Sequence, residues 1–129
     1  GFMSSRLLCE RADLFRGGAI LTASISTDFF PNCKPSQPIA VLLMNSTKDP
    51  IIPYDGGIIK FFGKERGSIL STDDYLAFWQ EKNGCVSKKE TIEIADKDGD
   101  GTSVSIESYE DCANRGALLL YKINGAGHT

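Results

Sequence analysis

Three short, almost wholly apolar runs constrain the fold of this chain more than any other feature. They read GGAILTASIS at residues 17–26, IAVLLM at residues 39–44 and GALLLYKING at residues 116–125. The second run is too short, and too closely flanked by turn residues, to form a helix. Strands that are covered on both faces of a parallel sheet have this composition. The runs therefore predict three buried strands.

Two helical patterns alternate with these strands. Residues 2–15 place apolar side chains at helical spacing, with charged residues on the opposite face. A second helix is predicted from Ser71 or Thr72 through Trp79, because two aspartates occupy its first turn, where the helix dipole favours negative charge. Strands that alternate with helices indicate an α/β domain with a mainly parallel sheet and flanking helices.

The length of the chain indicates how many domains it forms, and its charge distribution excludes some classes of partner. The chain has 129 residues, of which 41% are hydrophobic, and these values fit one globular domain. Its 14 basic and 17 acidic side chains are interspersed along the sequence. Because they form no basic stripe, nucleic acid is not expected as a partner. No apolar run approaches the roughly 20 residues that cross a bilayer, so no membrane partner is expected.

The stretch ADKDGDGTSVSIES raises the question of calcium binding. Its acids Asp96, Asp98 and Asp100, followed by Gly101 and Glu107, have the spacing of an EF-hand loop. An EF-hand requires a helix on each side of the loop, whereas the flanks KETIEIA and TSVSIESY alternate with the period of β-strands. The pattern favours a β-hairpin whose turn is DKDGDG. A calcium-binding protein that uses Asp96 to Glu107 is the less favoured alternative.

Two polar residues follow predicted strands, at the place where α/β enzymes carry their catalytic groups. Asp49 comes after the second strand in LLMNSTKDPIIPYDGG, and His128 comes after the third strand in KINGAGHT. Ligands and catalytic groups of open α/β sheets lie beyond the carboxyl ends of the strands. Asp49 and His128 are therefore the candidate catalytic residues.

Five blocks of the sequence resemble a known family. The blocks are FMSSRLLCERADLF, CKPSQPIAVLLMNSTKDPIIPYDGG, W…NGC, DGTSVSIESYEDC and LLLYKINGAGHT, and together they span almost the whole chain. They resemble consecutive blocks of the secreted α/β-hydrolase esterases, which include polyhydroxyalkanoate (polyhydroxybutyrate) depolymerases, feruloyl esterases and acetyl xylan esterases. The resemblance implies a partial α/β-hydrolase fold in which the acidic hairpin is an insertion between strands.

The resemblance also implies roles for particular residues. In that family a G-x-S-x-G-G nucleophile elbow is followed at once by the helix that FMSSRLLCE resembles, so Gly1 matches the last glycine of the elbow. The nucleophilic serine is then expected before residue 1. Asp49 matches the triad acid and His128 the base, in the chain order Ser, Asp, His of α/β-hydrolases. Residues 1–129 are thus expected to be the carboxy-terminal portion of a single α/β-hydrolase domain, without the elbow strand.

The function implied is that of a serine esterase, a carboxylic-ester hydrolase that works through an acyl-enzyme without cofactor or metal. Its expected partners are a small-molecule or polymeric ester and the remainder of the same polypeptide. Ser4 and Ser5 do not replace the nucleophile, because GFMSSR offers neither a preceding strand nor a glycine bracket. The 129-residue chain alone is therefore expected to be inactive. A non-catalytic, hydrolase-like binding module is the alternative function.

The four cysteines allow predictions about disulfide bonds and about the cellular location of the protein. The resemblance implies a disulfide between Cys85 and Cys112 that pins the hairpin to a helix end. Cys9 lies in an apolar helical pattern and is predicted to be a buried thiol. The chain has no C-x-x-C pair and His128 is its single histidine, so a Cys/His zinc site is not expected. A secreted or periplasmic location is implied by the resemblance.

Overall fold

The computed structural model describes residues 1–128 and arranges them around one five-stranded sheet and one separate hairpin. Its helices are α1 (Phe2–Glu10) and α2 (Thr72–Lys82). Its strands are β1 (Gly17–Leu21), β2 (Ala40–Ser46), β3 (Gly57–Phe61), β4 (Lys64–Ile69), β5 (Ser87–Ile94), β6 (Ser103–Glu110) and β7 (Ala117–Asn124). Among the described residues no helix is long and apolar enough to span a membrane.

The main sheet is mixed, with strand order β1-β2-β7-β6-β5. The three apolar runs form β1, β2 and β7, which are parallel neighbours, while β6 and β5 pair antiparallel. The predicted α/β class is confirmed, and the acidic hairpin is present as β5 and β6. The predicted predominance of parallel pairing is wrong, because residues 111–116 join β6 to β7 by a connection too short for a parallel crossover.

The second hairpin, β3–β4, is not indicated by the sequence pattern. Its turn consists of Phe62 and Gly63, whose φ angles are 50° and 71°. Two consecutive positive φ angles match the twist of a two-residue hairpin, and asparagine, aspartate or glycine normally occupies the first of these positions. Because phenylalanine stands there instead, the usual sequence signature of a hairpin is missing.

The core lies on one face of the main sheet, beneath both helices. Five strand side chains on this face are almost completely buried, namely Ile20, Val41, Leu43, Leu118 and Leu120. They belong to the same hydrophobic cluster as Leu8 of α1 and as Tyr75, Leu76 and Trp79 of α2. Burial of each large apolar side chain contributes about 1.5–3 kcal/mol. This shared core fixes the helices against the parallel strands.

The two helices differ in how closely their ends match the bounds predicted from the sequence. In α2, Ser71 accepts a hydrogen bond from the backbone N–H of Asp74 at 3.0 Å, so the predicted cap is confirmed, but the helix continues to Lys82. α1 ends at Glu10 rather than at Phe15. Arg11 leaves the helical conformation, and its side chain pairs with Asp13 through two 3.1 Å contacts.

Asn83 ties α2 to the strands that lead to the candidate site. Its side chain accepts a 2.9 Å hydrogen bond from the N–H of Ile39 and donates to the carbonyls of Ile39 and Ala117, at 2.8 and 3.3 Å. Ile39 precedes β2 and Ala117 begins β7. A buried polar group with all its partners rigidifies its surroundings, so Asn83 sets the entry points of the two strands.

Two disulfides close loops of the chain. Cys85–Cys112 is present, as predicted, and joins the end of α2 to the end of β6. The prediction of a free thiol at Cys9 is wrong, because Cys9 is bonded to Cys33. Cys9 is buried on the inner face of α1, as its helical position indicates. The turn-rich segment after β1 then returns to α1 and brings Cys33 beside it.

Removal of the Cys9–Cys33 bond should lower stability substantially. The bond spans 24 residues, and a loop of that size contributes about 3 kcal/mol by restricting the unfolded chain. We expect the Cys9→Ala/Cys33→Ala variant to lose about that amount in the free energy of unfolding, measured by urea denaturation. A loss well below about 1 kcal/mol would show that packing of α1, and not the cross-link, holds this corner of the fold.

Candidate active site

The fold brings Asp49 and His128 together. Asp49 follows β2 and His128 follows β7, and these two strands are parallel neighbours over their whole length. The Nδ1 atom of His128 lies 2.7 Å from Oδ2 of Asp49, across a sequence separation of 79 residues. Parallel neighbours end at the same edge of a sheet, which is why residues so distant in sequence meet.

The Asp49 carboxylate is held by its own loop. Its Oδ1 atom accepts hydrogen bonds from the backbone N–H groups of Ile51 and Ile52, both at 2.8 Å, which leaves Oδ2 for His128. The Asp49 side chain is 1% exposed, whereas that of His128 is 34% exposed. Since Nδ1 of the imidazole faces the carboxylate, the opposite nitrogen, Nε2, is available to take or give a proton.

Three hydrogen bonds join the loop after β2 to the end of β7 and the loop that follows it. The N–H groups of Thr47 and Lys48 donate to the carbonyls of Ile123 and Ala126, at 2.9 and 3.1 Å. The N–H of Gly125 donates to the hydroxyl of Thr47 at 3.0 Å. These bonds carry the strand pairing beyond the ends of β2 and β7. Thr47 takes part in two of these bonds, and the sequence pattern does not reveal this positioning role, because TKDP is typical of an ordinary turn.

The acidic turn is organised by one carboxylate. Asp96 accepts hydrogen bonds from the backbone N–H groups of Asp98, Gly99, Asp100 and Gly101, at 2.7–3.3 Å. The Gly101 contact is the foremost reason that the pKa of Asp96 lies below its ordinary value. The aspartate and glycine spacing therefore has a structural explanation, in which the first acid folds the turn around itself.

The surroundings of the turn do not match an EF-hand. Its flanks are the strands β5 and β6, as the hairpin interpretation predicts, whereas an EF-hand needs two helices. Glu107, at the position of the last EF-hand ligand, forms a 3.2 Å ion pair with Lys88. Within residues 1–128 no group of three or more His, Cys, Asp or Glu side chains is placed to hold a metal ion.

The acidic turn packs against the loop that carries His128. Gly125 has a φ of 84°, and a Cβ atom at this position would lie 2.3 Å from the carbonyl oxygen of Gly101. Such a distance is far below van der Waals contact, so only glycine fits here without movement of the backbone. The turn and the loop are thus in direct backbone contact three residues before the histidine.

A cavity of about 520 Å³ opens beside His128. It is formed by the start of α1, the end of β1, the loop after Asp49 and the β3–β4 hairpin. Its lining is Gly1, Phe2, Leu21, Thr22, Ala23, Ile51, Ile52, Ile59, Phe61, Arg66 and His128. Ser4 and Ser5 are not part of this lining, and the buried hydroxyl of Ser5 donates to the carbonyl of Ser24 at 3.1 Å. That neither serine is the nucleophile stays a prediction.

Two curated proteins with esterase names are similar to the chain along its whole length. The first is feruloyl esterase B from Piromyces equi, 25% identical over 130 residues that cover 99% of the chain. The second is named "Putative esterase NocK", from Nocardia uniformis subsp. tsuyamanensis, 29% identical over 139 residues that cover 100% of the chain. The chain spans 23% and 39% of the lengths of these proteins. No protein-family profile and no solved structure matches it.

Proposed function

We propose that this chain is the carboxy-terminal portion of a serine esterase, a carboxylic-ester hydrolase, and that it supplies the acid and the base of the catalytic triad. The observation that carries the proposal is the 2.7 Å contact between Nδ1 of His128 and Oδ2 of Asp49, at the ends of neighbouring parallel strands. The esterase names of both similar proteins support it. The proposed type is that of polyhydroxybutyrate depolymerases, feruloyl esterases and acetyl xylan esterases.

The proposed nucleophile is a serine in the polypeptide before Gly1. Two features of Gly1 support this position. Gly1 lines the cavity that contains His128, so the preceding residues lead to the candidate site. A Cβ atom on Gly1 would lie 2.2 Å from Cβ of Ala23, so the close packing of this helix start on the segment after β1 requires glycine. A nucleophile elbow places glycines at such a strand-to-helix turn.

In the proposed reaction, Nε2 of His128 accepts the serine proton while the serine oxygen attacks the ester carbonyl. Asp49 keeps the Nδ1–H tautomer and stabilises the imidazolium that forms. The tetrahedral intermediate collapses, the ester C–O bond breaks, and His128 gives its proton to the departing alcohol. Water then attacks the acyl-enzyme carbonyl while Nε2 of His128 accepts its proton. The bond to serine breaks, His128 returns the proton to the serine oxygen, and the carboxylic acid is released. The N–H groups that stabilise the oxyanion are proposed to lie in the preceding polypeptide.

The two disulfides are consistent with an oxidising compartment, because such bonds persist in secreted and periplasmic proteins and are rare in a reducing cytosol. The proposed enzyme is therefore secreted or periplasmic. Its proposed partners are a small or polymeric ester and the remainder of the same polypeptide.

The test compares the full-length polypeptide with residues 1–129 alone. We expect the full-length protein to hydrolyse 4-nitrophenyl acetate and to bind a fluorophosphonate probe covalently at a serine upstream of Gly1. We expect the 129-residue chain to do neither, and His128→Ala to abolish both in the full-length protein. A labelled serine inside residues 1–129, or hydrolysis by the isolated chain that His128→Ala removes, would contradict the missing nucleophile. A full-length protein without hydrolysis or labelling would instead indicate a hydrolase-like binding module.

A further inference from the structure

The cavity beside His128 combines an apolar surface with one permanently charged guanidinium group. Ile52, Ile59 and Phe61 provide apolar side chains, and Arg66 of β4 provides a guanidinium group. In the part of the chain that the structure describes, none of the ion pairs includes Arg66. The guanidinium is permanently charged and carries five N–H donors, and the side chains of residues 1–128 leave these donors available to a ligand acceptor.

Among the described residues, neither Glu65, next to Arg66 in sequence, nor Asp49 of the candidate site forms an ion pair with Arg66. Glu65 precedes it on β4 and pairs in register with Lys60 of β3. Glu65 is not part of the cavity lining, whereas Arg66 is. Asp49, the carboxylate next to the cavity, is 1% exposed and already engaged with His128. Among the described residues that line the cavity, none is an aspartate or a glutamate, and Arg66 carries the permanent positive side-chain charge.

We infer that Arg66 selects esters whose acyl chain ends in a carboxylate. This inference rests on the proposed esterase function and names the substrate class of the same site. The apolar part of the acyl chain packs on Ile52, Ile59 and Phe61, the ester carbonyl lies near His128, and the distal carboxylate accepts N–H bonds from the guanidinium. Arg–carboxylate pairs form two parallel hydrogen bonds and are stronger than neutral ones. Arg66 is thus a specificity-determining residue on a hairpin that carries no catalytic group.

The experiment uses two esters that differ at one end only, the monomethyl ester of adipic acid and methyl hexanoate. Hydrolysis by the full-length protein is followed by methanol release. We expect a higher kcat/KM for the adipate monoester, and we expect Arg66→Gln to lower that value about 3- to 10-fold with no change for methyl hexanoate. Lys64→Gln is the matched control, because it removes one positive charge from β4 at a residue outside the cavity lining. It should change neither value.

The outcomes separate this inference from the proposed function. If both esters are hydrolysed and Arg66→Gln lowers neither rate, or lowers both equally, the selectivity is wrong while the esterase function stands. If neither ester is hydrolysed, binding of monomethyl adipate and of methyl hexanoate is compared by calorimetry. Tighter binding of the adipate monoester that Arg66→Gln removes, and Lys64→Gln retains, supports an anion-selective cavity without catalysis. No such difference overturns the inference.

Discussion

Replacement of Asp49 by asparagine in the full-length polypeptide should lower kcat for ester hydrolysis by about 10³- to 10⁴-fold. The structure indicates that this substitution changes the contact with His128 and leaves the loop around residue 49 intact. An asparagine Oδ1 atom can still accept from Ile51 and Ile52, so the loop keeps its shape. Its amide presents N–H donors instead of Oδ2 to His128, which favours the wrong imidazole tautomer and removes the charge that stabilises the imidazolium. KM and the free energy of unfolding should change little.

The measurement is a pair of steady-state curves and a pair of unfolding curves for the wild type and for Asp49→Asn. Asp55→Asn is the matched control, because Asp55 is an exposed carboxylate of the same segment with no hydrogen bond to the site. It should retain full activity. If Asp49→Asn retains more than about a tenth of the activity, the contact with His128 has no catalytic role. Asp49→Ala would be less informative, since it also removes the acceptor for two buried N–H groups.

Gly125→Ala should cause the second large effect, a loss of activity of more than about tenfold together with a lower free energy of unfolding. The φ of 84° costs a non-glycine residue about 1–3 kcal/mol, and the added methyl group collides with the backbone of Gly101. The loop must move away from the acidic turn, and this movement displaces the N–H that binds Thr47 and the nearby His128. Misplacement of a catalytic group by about 1 Å can cost about a hundredfold in rate.

Gly127→Ala provides the control for Gly125→Ala in the same loop. A Cβ atom at Gly127 has no heavy atom within 4 Å, and its φ lies outside the left-handed region. The two variants add the same methyl group two residues apart, and only the first meets an obstacle. Both are compared by kcat, by KM and by thermal unfolding of the full-length protein. Equal behaviour of the two variants would mean that the contact with the acidic turn does not position His128.

The sequence predicts most of the main sheet because burial on both faces leaves a direct mark in composition. The runs at 17–26, 39–44 and 116–125 became three adjacent parallel strands. The turn DKDGDG was also interpretable, since aspartate and glycine have well-defined roles in turns. What pattern alone did not provide was the proportion of antiparallel pairs, which depends on the length of the connection before β7.

Two other features escaped the sequence for distinct physical reasons. The β3–β4 hairpin has Phe62 at a position of positive φ, so local preference opposes the conformation that tertiary structure imposes. Cys9 behaves as an apolar residue in its helix, and nothing in its own pattern identifies Cys33 as its partner. Cysteine connectivity depends on how the chain returns in space, which the turn-rich segment before β2 does not encode locally.

For the candidate site, the sequence located Asp49 and His128 by their positions after strands, but not the atoms that hold them. The ties from Thr47 and Lys48 exist only because β2 and β7 are neighbours, and strand order is not visible in the residues themselves. Likewise, Arg66 reads as one exposed charge among several in KERG. Its place in the cavity beside His128 follows from the unpredicted hairpin.

The adjacency of β2 and β7 has a consequence for how such a protein can diversify. Asp49 and His128 are 79 positions apart, yet short loops fasten them to each other directly. The β3–β4 hairpin lies between them in sequence, lines the cavity and forms no part of the main sheet. Insertions, deletions and exchanges in that hairpin can therefore remodel the cavity while the strands and loops that hold the contact between Asp49 and His128 stay unchanged. Natural selection and protein engineering can vary the two separately, as exchangeable modules on a fixed frame.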